Sequence, residues 1–447
     1  MIAKLIKTNL SFLGLEQVVR TIGSASLIIY IAAHLTKSEF GTFLYAMLIF
    51  GIIKSFIMFG TEDIVINLIE KDSNRIKTLS SIFHLRMIVN IVMILGLLLF
   101  GNYWKSTGVT STQGVINGVL VMLGLNLFSH FEVFSHLYET DLNAKKIAKI
   151  KSAQFFISSL IKLAVVLYNG TVFWIIVSYG FESLLLGILY ASTAPRGSFK
   201  ELLVGFDKKR FRNTLNECTP YALIGIMGVL TLRQDQIFVS QILTLEGLAI
   251  LGLAIRFIDI YSLLPILYSK TVYPILVKMR ELKDSELDTG TMHLLSPIIW
   301  AAISINILLT FLGVWVLNWD RFNFVGVFRE SIKLFMIIQW IVVFQASAQL
   351  TYRWLMIKGY TGKNIARQSI CLLISVVSTF ILVSRYGILG AAISAVLNSV
   401  VSGFLIDFLW VQTRPLIRIK IQAINPLNIR ETLKALSGVS NLKSYVS

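Results

Sequence analysis

The chain has few cysteines, prolines and charged residues for its length. Its 447 residues include 2 Cys, 7 Pro and 5 His, and only 15% are Asp, Glu, Lys or Arg. Cys218 and Cys371 are far apart, which predicts neither a disulfide framework nor a thiolate metal site. The sequence contains no Gly-x-x-x-x-Gly-Lys-Ser/Thr phosphate loop and no room for a nucleotide-binding domain. We therefore expect no ATP hydrolysis in this chain.

Hydrophobic residues are correspondingly abundant. They make up 55% of the chain, and the mean hydropathy is +0.74, far from the values of a soluble domain. A membrane-spanning helix needs about 20 apolar residues, and the backbone of such a segment must pair internally. The sequence predicts an all-α polytopic membrane protein with about 12 transmembrane helices, near residues 10–34, 40–61, 80–100, 114–138, 153–169, 172–193, 219–243, 248–277, 294–318, 332–357, 367–386 and 388–411.

Basic residues collect in alternate gaps between these segments. The basic gaps include Lys71, Arg75 and Lys77, and the gap after the sixth segment adds Arg196, Lys200 and Lys208. The opposite gaps contain only Lys37, Lys105, Arg321, Arg329, Lys333 and Arg385. By the positive-inside rule both termini are cytoplasmic. This asymmetry also accounts for much of the net charge of +17, so we expect no nucleic-acid partner.

The two halves of the chain look like weak copies of each other. "LTKSEFGTFLYA" from Leu35 aligns without a gap to "LTLEGLAILGLA" from Leu243, and each follows the first helix of its half. Six helices separate the copies, so both halves share one orientation and are expected to enclose a cleft. The predicted organisation is an N-terminal six-helix bundle (1–195), a basic cytoplasmic linker (196–218), a C-terminal six-helix bundle (219–411) and a basic cytoplasmic tail (412–447).

Four segments carry a resemblance to a known family. "AAHLTKSEFGTFLYA", "PYALIGIMGVLTLRQDQIFVSQIL", "GLAIRFIDIYSLLP" and "RYGILGAAISAVLNSVVSGFLI" resemble, in this order, O-antigen (Wzx-type) polysaccharide flippases. These flippases belong to the multidrug/oligosaccharidyl-lipid/polysaccharide exporter superfamily. One departure is Ala249 and Leu251, where similar proteins often carry Gly and Tyr.

The resemblance implies both an architecture and a function. The fold would be MATE-like, with two six-helix bundles around a central cavity. The protein would lie in the bacterial cytoplasmic (inner) membrane as a multi-pass protein and would not be an enzyme. By alternating access it would move an undecaprenyl-diphosphate-linked oligosaccharide, such as an O-antigen unit for lipopolysaccharide, to the outer leaflet. Its partners would be this substrate, membrane lipids and other polysaccharide assembly proteins.

Charged residues inside the predicted helices are candidates for binding the diphosphate. Such residues are costly in a membrane and usually face a bundle interior or an aqueous cavity. Arginine suits phosphate because its guanidinium group donates two parallel hydrogen bonds. The candidates are Arg233, Arg256, Arg20, Arg86 and Arg353. Static salt bridges and, for the shallower residues, snorkelling to water are the alternatives, and Arg256 with Asp259 at i, i+3 could pair with each other.

Acidic residues and amides supply the other candidates. Glu16, Asp235 and Asp259 could exchange H⁺ or Na⁺ as coupling ions, and no cofactor is expected. Glu16 and Arg20 at i, i+4 could equally form a permanent pair. Gln339, Gln345, Gln349 and Tyr352 could contact sugar hydroxyls or join helices. The spacing of His130, Glu132 and His136 does not gather three ligands on one helix face, so no metal site is expected.

Two other functions fit parts of the pattern. A multidrug or organic-cation antiporter of the same fold would need an acidic cavity rather than an arginine-containing one. A membrane glycan polymerase or ligase would need a sizeable external loop, and the longest outer gaps hold only about a dozen residues. The flippase interpretation is therefore preferred.

Overall fold

The computed structural model describes residues 2–72, 74–105, 112–141, 143–195, 197–279, 284–318 and 327–426, and the side chains of most of these residues from Gly14 onward. Within these ranges the chain is helical and divides into two compact units, 1–233 and 234–447. The part of the predicted basic tail beyond residue 426 lies outside the described residues. The domain boundaries that the sequence suggests stay a prediction.

The N-terminal unit contains nine complete helices among its described residues and most of a tenth. They are α1 (Ile2–His34), α2 (Lys37–Met58), α3 (Thr61–Lys71), α4 (Arg75–Lys105), α5 (Thr112–Ser129), a 3-10 turn (His130–Val133), α6 (Phe134–Thr140), α7 (Ala144–Leu167), α8 (Val172–Ser192), α9 (Ser198–Val204) and the beginning of α10 (Lys208–Ile242). Its apolar core includes Val65 of α3, Leu79 of α4, Phe134 of α6 and Tyr190 of α8, each fully buried.

The C-terminal unit begins inside α10 and continues through seven further described helices. These are α11 (Leu245–Tyr261), α12 (Leu263–Met279), α13 (Asp284–Asn318), α14 (Val327–Ile338), α15 (Ile341–Ile357), α16 (Thr361–Gly403), a 3-10 turn (Leu405–Phe408) and α17 (Arg414–Ile424). The α16 segment consists of two helices that meet at Gly387, where φ is 60° and the backbone is not helical.

The described residues contain ten helical segments long and apolar enough to cross a membrane, or eleven when the bent pair α14–α15 is one span. Dividing α16 at Gly387 adds one more, which gives twelve. The predicted class, a polytopic all-α protein with about 12 spans, is therefore confirmed.

The sequence repeat marks equivalent helix starts. In the first copy the Thr36 hydroxyl accepts from the Glu39 backbone N–H at 3.3 Å, and the Glu39 carboxylate accepts from the Thr36 backbone N–H at 3.0 Å. In the second copy the Thr244 hydroxyl accepts from Gly247 N–H at 3.1 Å. Both threonines satisfy backbone donors that the first turn of a helix leaves open. The repeated "LT" therefore begins α2 and α11.

Two predicted spans each consist of two consecutive helices in the structure. The expected helix 248–277 divides at Ser262, since Pro265 has no backbone N–H and its ring conflicts with the carbonyl four residues earlier. The expected helix 332–357 divides into α14 and α15, which meet at an angle of 47°. No proline or glycine lies at that second break, so the sequence pattern alone did not predict it.

Candidate functional site

Three ion pairs of the N-terminal unit join a glutamate in a predicted membrane span to a lysine or an arginine. The first joins Glu16 and Arg20 on α1, with Nε and Oε1 2.9 Å apart. Glu16 is 8% exposed, whereas the Arg20 side chain is 35% exposed and also donates to Gln17 Oε1 at 2.5 Å. Arg20 therefore connects a buried carboxylate to an accessible surface.

The other two pairs join α7 to its neighbours. Lys151 lies 3.2 Å from Glu132 in the 3-10 turn after α5. Lys162 lies 2.5 Å from Glu182 on α8, and its ammonium also sits 4.0 Å from the centre of the Tyr179 ring. Such pairs compensate the cost of placing charge among apolar helices.

Two further cations in this unit have no carboxylate partner among the described residues. Arg86 on α4 is 1% exposed, and its Nε donates to the Thr61 hydroxyl at 2.8 Å while Nη2 is unpaired. Lys54 on α2 is partly buried, and its side chain forms no hydrogen bond or ion pair in the part of the chain that the structure describes. The interior thus carries more positive than negative charge.

Histidines near these groups have partners of other kinds. His130 is fully buried, and its Nε2 lies 3.1 Å from Asn90 Nδ2. His136 Nδ1 lies 2.9 Å from Glu139 Oε2, and Glu132 is occupied by Lys151. The described residues contain no group of three metal-ligating side chains.

In the C-terminal half, Arg256 and Asp259 on α11 form a pair, with Nη1 and Oδ2 2.9 Å apart and both side chains partly exposed. Arg233 is partly buried within α10 at the end of the N-terminal unit, and Asp235 is 6% exposed at the beginning of the next. Both form interactions. Arg233 and Asp235 lie two residues apart on α10. Arg256 and Asp259 form an ion pair with each other.

The predicted sugar-contacting residues lie around the break between α14 and α15. Gln339 is fully buried, and its amide nitrogen donates to the Thr310 hydroxyl at 2.6 Å and to Met336 O at 3.2 Å. It therefore joins α13 to the break. Gln345, Gln349, Tyr352 and Arg353 lie on α15 with partly buried side chains, and the guanidinium carbon of Arg353 is 5.7 Å from the centre of the Tyr352 ring.

One buried charge cluster was not identified from the sequence. Asp407 pairs with Lys420 of α17 and lies 3.4 Å from Arg367 of α16. All three side chains are at most 3% exposed. Lys420 also donates to Gly403 O at 2.7 Å. The available signal was a lysine on the otherwise apolar face formed by Leu416, Ile419 and Ala423.

An open pocket of about 490 Å³ lies elsewhere in the N-terminal unit. Ile64, Asn67 and Glu70 of α3 line one side, and Glu217 and Tyr221 of α10 line the other. Its charged residues are acidic, so it does not suit an anion.

Solved structures of membrane transport proteins share this fold. The chain matches the lipid II flippase MurJ in an inward closed conformation with a TM-score of 0.67 and 13% identity, covering 92% of this chain and 90% of that one. It matches an inward-facing multidrug resistance MATE family transporter of the MOP superfamily with a TM-score of 0.64 and 12% identity, over 90% and 95%. A Vibrio cholerae MATE transporter, VcmN, gives 0.63 and 12%, over 95% and 99%. These likenesses establish a MATE-like fold.

Sequence comparison adds the family. A search of curated proteins gives no match. The family described as polysaccharide biosynthesis protein matches residues 6–280, more than half of the chain. The predicted relationship is thereby confirmed, and this multi-pass membrane protein belongs to the polysaccharide biosynthesis protein family.

Proposed function

We propose that this protein is a flippase that moves an undecaprenyl-diphosphate-linked oligosaccharide from the cytoplasmic to the outer leaflet of the bacterial inner membrane. The glycan is an O-antigen or another surface polysaccharide repeat unit. Movement occurs by alternating access, is driven by an H⁺ or Na⁺ gradient, and leaves the substrate chemically unchanged. Other polysaccharide assembly proteins supply and remove the substrate.

The observation that carries this proposal is the excess of positive charge inside the N-terminal unit. Glu16, Glu132 and Glu182 are each paired with a cation, whereas Lys54 and Arg86 have no carboxylate partner among the described residues. An uncompensated cation in an apolar setting is unfavourable, and a bound diphosphate would compensate it. An organic cation would gain no such compensation, which disfavours the multidrug antiporter.

The ion pairs suggest how binding could be coupled to an ion. Arg20 is bound to Glu16, and Arg256 to Asp259. A substrate phosphate competes with the carboxylate for the same guanidinium group. The carboxylate is planar and the phosphate tetrahedral, but each has two oxygens that can accept parallel hydrogen bonds from arginine. A carboxylate that loses its arginine gains affinity for a proton or Na⁺. Substrate binding and ion binding at these pairs are therefore thermodynamically coupled.

The remaining candidates complete the site in this proposal. Arg233 and Arg353 add positive charge along the substrate path, and Asp235 is a third ion-coupling acid. Gln345, Gln349 and Tyr352 bind sugar hydroxyls. Gln339 is committed to Thr310 and Met336, so we assign it to holding the break between α14 and α15 rather than to the glycan.

The test is transport in proteoliposomes that contain the purified protein and an undecaprenyl-diphosphate-linked oligosaccharide. An impermeant glycosidase reports glycan that reaches the outer leaflet. We expect exposure that requires protein and responds to an imposed H⁺ or Na⁺ gradient. No exposure with several glycans, together with gradient-driven uptake of an organic cation, would favour the antiporter instead.

A further inference from the structure

Helix α17 has an outward face of unusual composition. Arg414 and Arg418 are exposed, and the helix sequence RPLIRIKIQAI contains no acidic residue. Ile421 is 56% exposed on the same face. At about 100° per residue these three side chains fall within an arc of roughly 60°. A helix surrounded by water gains nothing from an exposed isoleucine next to arginines, whereas a helix at a membrane surface does.

The segment that leads into α17 has the same character. It follows the last candidate span, Gly362–Phe408, without an intervening domain. Leu409 and Val411 are 55% and 69% exposed, and Val411 lies one turn before Arg414. The chain therefore leaves the membrane with apolar side chains still directed outward, and α17 begins within a few residues of the interface.

The opposite face of α17 fixes its rotation. Leu416, Ile417, Ile419 and Ala423 are buried, and α17 packs against α13. Lys420 lies on this buried face, where it binds Asp407 and Gly403 O. The helix cannot rotate about its axis without breaking this buried pair, so Arg414 and Arg418 are held facing outward.

We propose that α17 is a docking surface for anionic phospholipids of the membrane that the protein spans. Arg414 and Arg418 bind headgroup phosphates by charge-assisted hydrogen bonds, while Val411 and Ile421 enter the boundary between headgroups and acyl chains. The occupant is identified by charge complementarity: the charged side chains of the outward face are all cationic, and the apolar side chains of Val411 and Ile421 flank them. This surface is independent of the transported substrate.

The test is amide hydrogen exchange of the purified full-length protein in nanodiscs of phosphatidylcholine alone or mixed with phosphatidylglycerol. We expect amides of residues 416–424 to exchange more slowly in the anionic discs. The exchange rate should fall roughly fivefold per arginine, or up to about 25-fold for the pair, at low ionic strength. High salt should reduce this slowing. Amides of α13 away from the contact serve as the internal standard for folding.

Two pairs of variants make the test specific. Arg414→Gln with Arg418→Gln should abolish the difference between the two discs, whereas Arg414→Lys with Arg418→Lys should keep most of it. Lys208→Gln with Lys209→Gln removes the same charge from exposed positions on α10 and should leave it unchanged. Equal exchange in both discs, or a difference that survives the Arg→Gln pair, would overturn the proposal. Slowing by inorganic phosphate in neutral discs would also overturn it, in favour of a small-anion site.

Discussion

At the scale of single residues, two lysines of the N-terminal unit share a charge but differ in their partners. Lys162 is 2.5 Å from Glu182 and 4.0 Å from the Tyr179 ring, and its side chain is 4% exposed. The Lys54 side chain has no hydrogen bond or ion pair among the described residues. A permanent structural role accounts for Lys162. In the proposed function, Lys54 binds the ligand.

This difference gives a paired prediction. Lys54→Gln should lower the initial flipping rate about tenfold, as expected for loss of one charge-assisted contact, with thermal stability unchanged or higher. Lys54→Arg should retain most of the rate. Lys162→Gln should mainly lower the melting temperature, because it leaves Glu182 unpaired. Proteoliposome transport and detergent thermal unfolding measure the two effects. A wild-type rate for Lys54→Gln would remove this residue from the mechanism.

The buried cluster near the end of the chain predicts a large stability effect. Asp407→Asn removes the carboxylate that serves both Arg367 and Lys420. Loss of one partner of a buried pair typically costs about 3–5 kcal/mol, so the melting temperature should fall markedly. Adding Lys420→Met should restore part of it, because a buried cation is then removed as well. If the double variant is less stable than Asp407→Asn, the cluster does not act as described.

The same cluster predicts a pH dependence. Burial lowers the pKa of Lys420 from 10.5 to about 8, although Asp407 acts in the opposite direction. Between these values the unfolded chain binds a proton that the folded chain has released, so this group makes stability rise with pH. Below about pH 8 the cost of the buried charge is fully present. Comparison of melting temperatures against pH should show that Lys420→Met lacks this component, while Arg418→Gln retains it.

At the scale of elements, α5 and α8 pack through glycines. A Cβ on Gly187 would lie 1.9 Å from Phe128 O, and one on Gly180 would lie 3.1 Å from Met122 Cα. Between membrane helices the solvent provides little hydrophobic driving force, so close contact of backbones stabilises the pair. The absence of side chains at these positions is what permits that contact.

A single methyl group should therefore separate these helices. We expect Gly187→Ala to destabilise the N-terminal unit by an amount typical of overpacking, about 1–3 kcal/mol or more, since the obstructing atom is backbone. Gly124→Ala on α5 is the matched control, because nothing lies within 4 Å of its Cβ position. Thermal unfolding of both variants in one detergent measures the difference. Equal stability of the two variants would contradict the close packing.

The elements show which features the sequence could predict. The length of the apolar segments located the spans, and the repeated Thr36 and Thr244 coincide with helix N-caps. Pro265 could have placed the break after Tyr261, because its chemistry is local. At the break near Gln339, by contrast, the hydrogen bond is to Thr310 of another helix, and the local sequence does not specify such a contact. Likewise the pairing of Asp407 with Lys420 joins separate elements, and spacing alone does not specify it.

At the scale of the whole molecule, family membership and charge distribution concern different properties. The family match and the MATE-like fold define the kind of protein. The orientation in the membrane is inferred only from the positions of the lysines and arginines, and it stays a prediction. It is nevertheless required by the proposed direction of transport, since a flippase takes its substrate from the side where the glycan is assembled.

That orientation can be measured with single new cysteines. The native residues Cys218 and Cys371 are both buried, so they give little background. Lys145 precedes most of α7, Tyr168 follows it and is 88% exposed, and Gln412 precedes α17; all three are exposed. With both termini cytoplasmic, an impermeant maleimide should label Tyr168→Cys in intact cells and should label Lys145→Cys and Gln412→Cys only after permeabilisation. The opposite pattern would invert the topology and, with it, the proposed direction of substrate movement.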